Sequence, residues 1–294
     1  MKVVIAGPFW FPRGTAATAR IRNLALGLRE CDARVHVLAM APPPLTVSAS
    51  RQGVLEFEGI TYEHVAPIGA AVDGWLDADR TIPRLRRRLL DRLVWFGSVS
   101  AATLAARDRL RRLIDRGECD LLLIYDSSAL RMTPLVRLSR ARGVTSILDV
   151  VETAEQLCRE RSVGLLDVVA NWDIAVGLAK TATLFDGLTV ITSGLEAFYR
   201  ERGCLKTLVL PPIESWPAAA SPEPTGNRSF RLTSVGSLLP RDAPELLLEA
   251  MRILAQRGAD VTLDLVGHYE ATAGGRRLRE LCARDPALGR VVRF

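Results

Sequence analysis

The chain begins a second β-α-β unit only after it has already laid down one full α/β domain. Residues 230–267, FRLTSVGSLLPRDAPELLLEAMRILAQRGADVTLDLVG, read as strand, glycine turn, amphipathic helix and strand. Before them lie Pro211, Pro212, Pro217, Pro222 and Pro224, with Ala218–Ser221 and Gly226 interspersed. Proline removes backbone donors and fixes φ, so this stretch can be neither a helix nor a central strand and reads as an extended linker. The sequence therefore predicts two sheets. Residues 1–210 form an N-terminal domain, 211–228 the linker, and 229–294 a second, incomplete domain.

Within the first domain, short apolar runs have the composition of parallel strands buried on both faces. They are Val3–Ala6, Val35–Ala39, Leu121–Tyr125, Ser146–Val151, Leu188–Ile191 and Thr207–Leu210. Helix-length segments separate most of them, which implies a parallel sheet with right-handed crossovers. Gly53–Ala66 breaks the pattern: its alternation, centred on Glu58-Gly59, predicts a small antiparallel hairpin. Residues 80–116 are the longest helical stretch and are expected to form two helices broken near Gly97. Leu85, Leu89, Leu93 and Phe96 repeat at helical spacing and are expected to face the core. Arg84, Arg86, Arg87, Arg88 and Arg92 surround that stripe, with Trp95 close by. Such a helix fits either a solvated packed face or an anionic membrane surface.

Composition narrows the function classes. The five cysteines, Cys31, Cys119, Cys158, Cys204 and Cys282, are far apart with no CxxC, which argues against a zinc site or disulfide framework. Structural thiols in a reducing cytoplasm are expected, and no metal site. No run of 18 apolar residues exists, and MKVVIAG reads as a buried strand, not a leader. The net charge of +6 is carried almost wholly by Arg, a good bidentate partner for phosphate or anionic lipid. It is not gathered into a nucleic-acid-like stripe, and no nucleic acid partner is expected.

In open parallel sheets, ligands bind beyond the carboxyl ends of the strands, so candidate residues are sought there. After the first strand, Gly14 precedes a helix that Thr15 could cap, and Arg13 adds charge where free N–H groups favour an anion. The plainer reading is a tight turn that needs glycine. At the end of Leu121–Tyr125, Tyr125 and Asp126 are the catalytic candidates. Asp126 fits a base, a ligand for sugar hydroxyls, or a cap for the helix starting near Ser128. Asp149 and Glu152 follow another strand and either line the cleft or mark a helix start. In the second domain, Gly236 and Ser237 open a turn that lets a backbone approach a diphosphate, and Arg241 could hold it bidentately. Asp242 reads as the N-cap of the next helix, with Pro244 in its first turn. Gly267 and His268 end the following strand, where His268 either touches a nucleotide or is simply solvated.

Four stretches together resemble the family 4 retaining glycosyltransferases of the GT-B fold: FPRGTAATARIRNLALGLRECDARVHVLA, GLTVITSGLEAFYRERGCLKTLVLPPIESW, SVGSLLPRDAPELLLEAM and VTLDLVGHYE. The resemblance implies two Rossmann-like domains and transfer of a sugar from a nucleoside-diphosphate donor with anomeric retention. The donor would be a substrate, with no separate cofactor. The acceptor, a saccharide or lipid-linked molecule, would sit in the N-terminal domain. The chain departs from the family pattern in several places. Ser237 stands where the family has arginine, Arg241-Asp242 occupies the lysine region, and Tyr125 takes a usual histidine position. The family's ExxxxxxxE carboxylates fall after Phe294. The expectation is therefore a truncated glycosyltransferase, weak or inactive as this chain, cytoplasmic, with peripheral contact at the inner membrane face as an option. The alternative is a non-catalytic module binding an acceptor, a membrane surface or a partner subunit. A sugar-nucleotide epimerase is a third reading. A dehydrogenase is disfavoured because GxGxxG with a later acidic residue is absent.

Overall fold

The run KVVIAG becomes β1 (Lys2–Gly7), with parallel neighbours on both sides, β2 (Arg34–Ala39) and β5 (Leu121–Tyr125). Because side chains alternate, Val3 and Ile5 enter one core while Val4 and Ala6 enter the other, and all four are buried. The computed structural model describes residues 1–41, 53–65, 84–158, 165–204, 206–212, 230–236, 243–267 and 273–294. The chain divides into two units, Met1–Trp216 and Pro217–Phe294, each with its own sheet. Most of the expected proline-rich linker, residues 213–228, lies outside the described residues.

In the first unit, β3 (Leu55–Phe57), β4 (Ile60–His64), β6 (Thr145–Val150), β7 (Gly187–Val190) and β8 (Thr207–Val209) complete an eight-stranded sheet. Its order is β3-β4-β2-β1-β5-β6-β7-β8. Only β3 runs antiparallel, and it closes the expected hairpin through Glu58 (φ 48) and Gly59 (φ 73). Two consecutive positive φ values are what a tight two-residue hairpin turn requires. The order reverses between β1 and β5, so the topological switch point lies at the carboxyl ends of these strands. A Cβ at Gly7 would sit 2.2 Å from the carbonyl oxygen of Tyr125, so glycine is needed where the two strands end side by side.

One face of this sheet packs against α1 (Ala16–Glu30) through Ile21 and Ala25. The other packs against α2 (Arg84–Asp115), α3 (Ala129–Ala141) and α5 (Leu165–Ala179), burying Leu110, Met132, Leu135, Ile174 and Leu178. A short α4 (Ala154–Cys158) precedes α5, and α6 (Ser193–Arg200) buries Tyr199. The expected break in 80–116 is absent. Helix α2 runs unbroken through Gly97, since one glycine costs a helix only about 1 kcal/mol, less than the buried turns after residue 101 return. Side chains of residues 84–96, including the expected Leu85–Phe96 stripe and the arginines around it, lie outside the described residues. On the α2 side, Glu63 accepts hydrogen bonds from His36 Nε2 (2.8 Å) and Arg109 Nε (2.5 Å), tying β4, β2 and α2 together. Burial pushes the Glu63 carboxyl up, but these two donors outweigh it and hold it below its ordinary value.

The second unit is smaller. Strands β9 (Phe230–Val235), β10 (Val261–Val266) and β11 (Val292–Arg293) are parallel, in the order β11-β10-β9. Helices α7 (Pro244–Gln256), α8 (Ala273–Arg284) and α9 (Pro286–Val291) bury Leu248, Met251, Leu278 and Leu288 against Leu263 and Leu265. Pro244 stands in the first turn of α7 as expected. The N-cap position, however, is Ala243 in a left-handed conformation, and it gives no side-chain cap; Asp242 lies outside the described residues.

Two stability predictions follow from these elements. Gly97→Ala should raise stability by about 0.5–1 kcal/mol, because its Cβ meets open space in an intact helix; a loss on chemical denaturation would place a break there. Glu63→Gln should destabilise near neutral pH and become neutral in acid. A lowered folded-state pKa contributes stability above the unfolded value, and that contribution disappears as pH falls through the folded one. Denaturation midpoints at both pH values measure the difference.

Candidate functional site

The carboxyl edge of the first sheet gathers the glycine loop after β1, Tyr125-Asp126 after β5, and Asp149 in β6. Residues Arg13 and Gly14 are exposed in that loop. Thr15 occupies the N-cap position of α1, but its side chain makes no cap bond. Instead Thr18 Oγ1, one turn into the helix, donates to the Trp10 carbonyl at 2.8 Å and folds the loop back on α1. Gly14 is confined by the same contact: a Cβ there would meet Thr18 Oγ1 at 2.5 Å.

Asp126 turns out to be fully engaged. Its Oδ1 accepts from the backbone N–H groups of Ser127 (2.6 Å) and Ser128 (2.9 Å). Arg131 grips both oxygens, Nε to Oδ2 and Nη2 to Oδ1, each at 2.6 Å. Ser128 is the N-cap of α3, accepting from Arg131 N, while Asp173 on α5 accepts from Leu130 N at 2.9 Å. The N–H groups of Ser128, Leu130 and Arg131 at this helix start are thus taken by the protein's own oxygens. Asp126 thus closes the turn that leads into α3, whose N-cap is Ser128. Gly177 is the structural counterpart on α5. A Cβ there would lie 2.1 Å from the Ser127 carbonyl oxygen, so α5 presses directly on the turn.

A second carboxylate is equally committed. Asp149 receives Arg20 bidentately, Nε to Oδ2 and Nη2 to Oδ1, both at 2.7 Å, and Thr189 Oγ1 donates to Oδ1 at 2.6 Å. Arg20 Nη2 also donates to the Leu210 carbonyl at 3.2 Å, so this one side chain links α1 to the ends of β6 and β8. Side-chain exposure is 10% for Arg20 and 0% for Asp149. Tyr125 lies nearby, its ring edge-on to Phe9 at 6.2 Å. Burial, and after it Asp149 and Glu152, push its phenol up to about 12, although Arg20 pulls the other way. The phenol is therefore protonated throughout the physiological range.

Two residues on this edge escaped the sequence analysis. Arg20 reads as one of many arginines, and its partner lies 129 residues away. His64 ends β4 beside Ala39, and burial, only partly offset by the Ala41 and Phe11 carbonyls, lowers its pKa, so it is neutral near pH 7. Its place at the end of an alternating strand was the one available signal.

In the second unit, the carboxyl ends of neighbouring β9 and β10 are Gly236 and Gly267. Gly236 N donates to the Val266 carbonyl at 3.0 Å, which aligns the two turns. Ser237, Arg241 and His268 lie outside the described residues. Among the described residues there is no cluster of metal-ligating side chains and no helix long and apolar enough to cross a membrane. Cys31, Cys119, Cys204 and Cys282 are free thiols.

No family model matches the sequence, and no curated protein matches it. Among solved structures, the catalytic domain of starch synthase IV from Arabidopsis thaliana, bound to ADP and acarbose, is similar. It is 14% identical, with a TM-score of 0.58 over 99% of this chain and 73% of that one. A glycosyltransferase from Rickettsia africae gives 10% identity and a TM-score of 0.59 over 99% and 67%. An α,α-trehalose-phosphate synthase (UDP-forming) from Burkholderia vietnamiensis gives 13% and 0.53 over 99% and 70%. The fold is thus a mixed α/β fold of two Rossmann-like units, consistent with the GT-B architecture of glycosyltransferases.

Removing one partner of the Arg20–Asp149 pair leaves the other charge buried alone. Asp149→Ala should cost about 3–5 kcal/mol, read from urea denaturation. A cost below about 1 kcal/mol, the range of a surface pair, would mean that the pair does not hold the edge together.

Proposed function

We propose that the protein is a retaining glycosyltransferase of the family 4 type, using a nucleoside-diphosphate sugar and acting on a saccharide or lipid-linked acceptor. Residues 1–210 would serve as acceptor domain and 229–294 as donor domain. The observation that carries this reading is the alignment of Gly236 and Gly267 at the carboxyl ends of β9 and β10. Glycine at both strand ends puts no side chain between the backbone and a diphosphate, and Arg241 stands in the sequence where it would supply the bidentate cation. The starch synthase of similar fold was crystallised with ADP, and the trehalose-phosphate synthase is UDP-forming, which supports a nucleoside diphosphate as the common ligand. The free thiols fit a cytoplasmic protein.

The first unit's edge supports retention. Inversion by single displacement needs a protein base to take the proton of the acceptor hydroxyl. Tyr125 is a protonated phenol, and Asp126 and Asp149 are held by arginines. None of those three is a free base; the neutral His64 on the same edge could be one, and in the retaining reading it takes no proton, which passes instead to the departing diphosphate. The acceptor oxygen forms its bond to the anomeric carbon on the face from which that diphosphate leaves. The leaving group's growing charge is then the main thing to stabilise, a task for Arg241 and the Gly236 turn.

Calorimetric titration with UDP, ADP and GDP tests the donor site. At least one should bind saturably, and Arg241→Ala should weaken it by about 10–100-fold, the worth of a charge-assisted hydrogen bond. Saturable binding by none of the three would overturn the reading. Glu152 lies near Tyr125 on the same edge. Glu152→Gln should change turnover only a few-fold, whereas loss of a true general base would cost about 10²–10⁴.

A further inference from the structure

The geometry points to a membrane contact: α5 and the start of α3 dock onto a bilayer surface rich in anionic lipid. A helix that packs on a core normally turns a charged face to water. Helix α5 does not. Its buried side is Ala170, Ile174 and Leu178, and the opposite side is Val168, Val169, Trp172 and Val176, one apolar stripe at helical spacing. Trp172 is 65% exposed and Val168 56%. The acid Asp173 does not relieve the stripe, because it is buried and spent on Leu130 N; the Asp167 side chain lies outside the described residues. Through that bond Leu130, 54% exposed, extends the patch onto the first turn of α3. Scattered apolar residues on a surface need no explanation, but a contiguous patch led by tryptophan does.

Charge around the patch selects the occupant. The exposed charged side chains on these helices and just after them are basic, Arg137 and Arg140 on α3, Arg142 after it and Lys180 after α5, while α4 adds one exposed acid, Glu155. Among the described residues, no acid is exposed on α3 or α5. A second copy of the chain would bring the same basic border against itself. An anionic headgroup layer pairs with that border while the stripe enters the acyl boundary, and tryptophan is at home at that depth. The proposal does not use the Arg84–Arg92 segment of α2, and it does not depend on transferase activity.

Co-sedimentation with phosphatidylcholine vesicles, with and without phosphatidylglycerol, tests the proposal on the full chain. Wild type should bind the anionic vesicles, more weakly as salt rises and poorly the neutral ones. Val168→Asp and Trp172→Asp should each reduce binding at least about tenfold while leaving the thermal midpoint unchanged, since both side chains are exposed. Trp172→Phe should restore it. Binding that survives both aspartates, or that falls only when Arg86, Arg87 and Arg88 are neutralised, would overturn the assignment to α5. A lipid-free dimer, seen by light scattering and abolished by Trp172→Asp, would replace the bilayer with a second copy and equally refute it.

Discussion

Two buried ion pairs, Arg20–Asp149 and Arg131–Asp126, hold the carboxyl edge of the first unit, and the first of them spans it furthest. Arg20 reaches from α1 to Asp149 in β6, and its spare donor fixes the Leu210 carbonyl where β8 has ended. Parallel strands leave their last carbonyls and side chains pointing into the crevice, where no strand follows to pair with them. A charged network satisfies those groups more completely than apolar packing would, at the cost of desolvating both ions. The consequence is chemical as well as structural. Carboxylates that hold strand ends in register are not free to accept a proton, which shapes what the crevice can do.

Close approach of backbones is the second constraint. Gly7 against the Tyr125 carbonyl and Gly177 against the Ser127 carbonyl bring β1, β5 and α5 nearer than any Cβ would allow. Together they settle the turn that carries Asp126, so Arg131 can meet it squarely. In the second unit, Gly236 and Gly267 leave the ends of β9 and β10 bare. The two edges therefore differ: one is filled with engaged side chains, the other ends in glycine on both strands. That contrast fits an acceptor crevice of fixed shape and a donor turn that grips phosphate through N–H groups.

Much of the fold was legible because parallel strands announce themselves as apolar runs. The Glu58-Gly59 turn, β9, β10 and the proline in the first turn of α7 were readable from local chemistry alone. Gly97 misled because helix propensity is a weak prior, and tertiary packing on α2 overrides it. Thr15 misled for a related reason: a residue in the cap position need not cap, and here Thr18 makes the loop's anchoring bond. The site was less legible. Whether Asp126 is a base or a cap turns on Arg131, five residues on, whose rotamer the sequence does not reveal. Arg20 and Asp149 are brought together only by the crossover from β1 through the whole sheet. Likewise the apolar outer face of α5 becomes visible only once the structure shows which side the core occupies.

We propose that a nucleoside diphosphate is held at the carboxyl ends of β9 and β10. Amide hydrogen exchange, with and without the diphosphate in excess, measures this segment by segment. Slowed exchange is expected in peptides spanning 235–246 and 265–275, with the glycine loop at 8–20 little changed. Protection confined to 8–20, with the second unit exchanging as before, would contradict it.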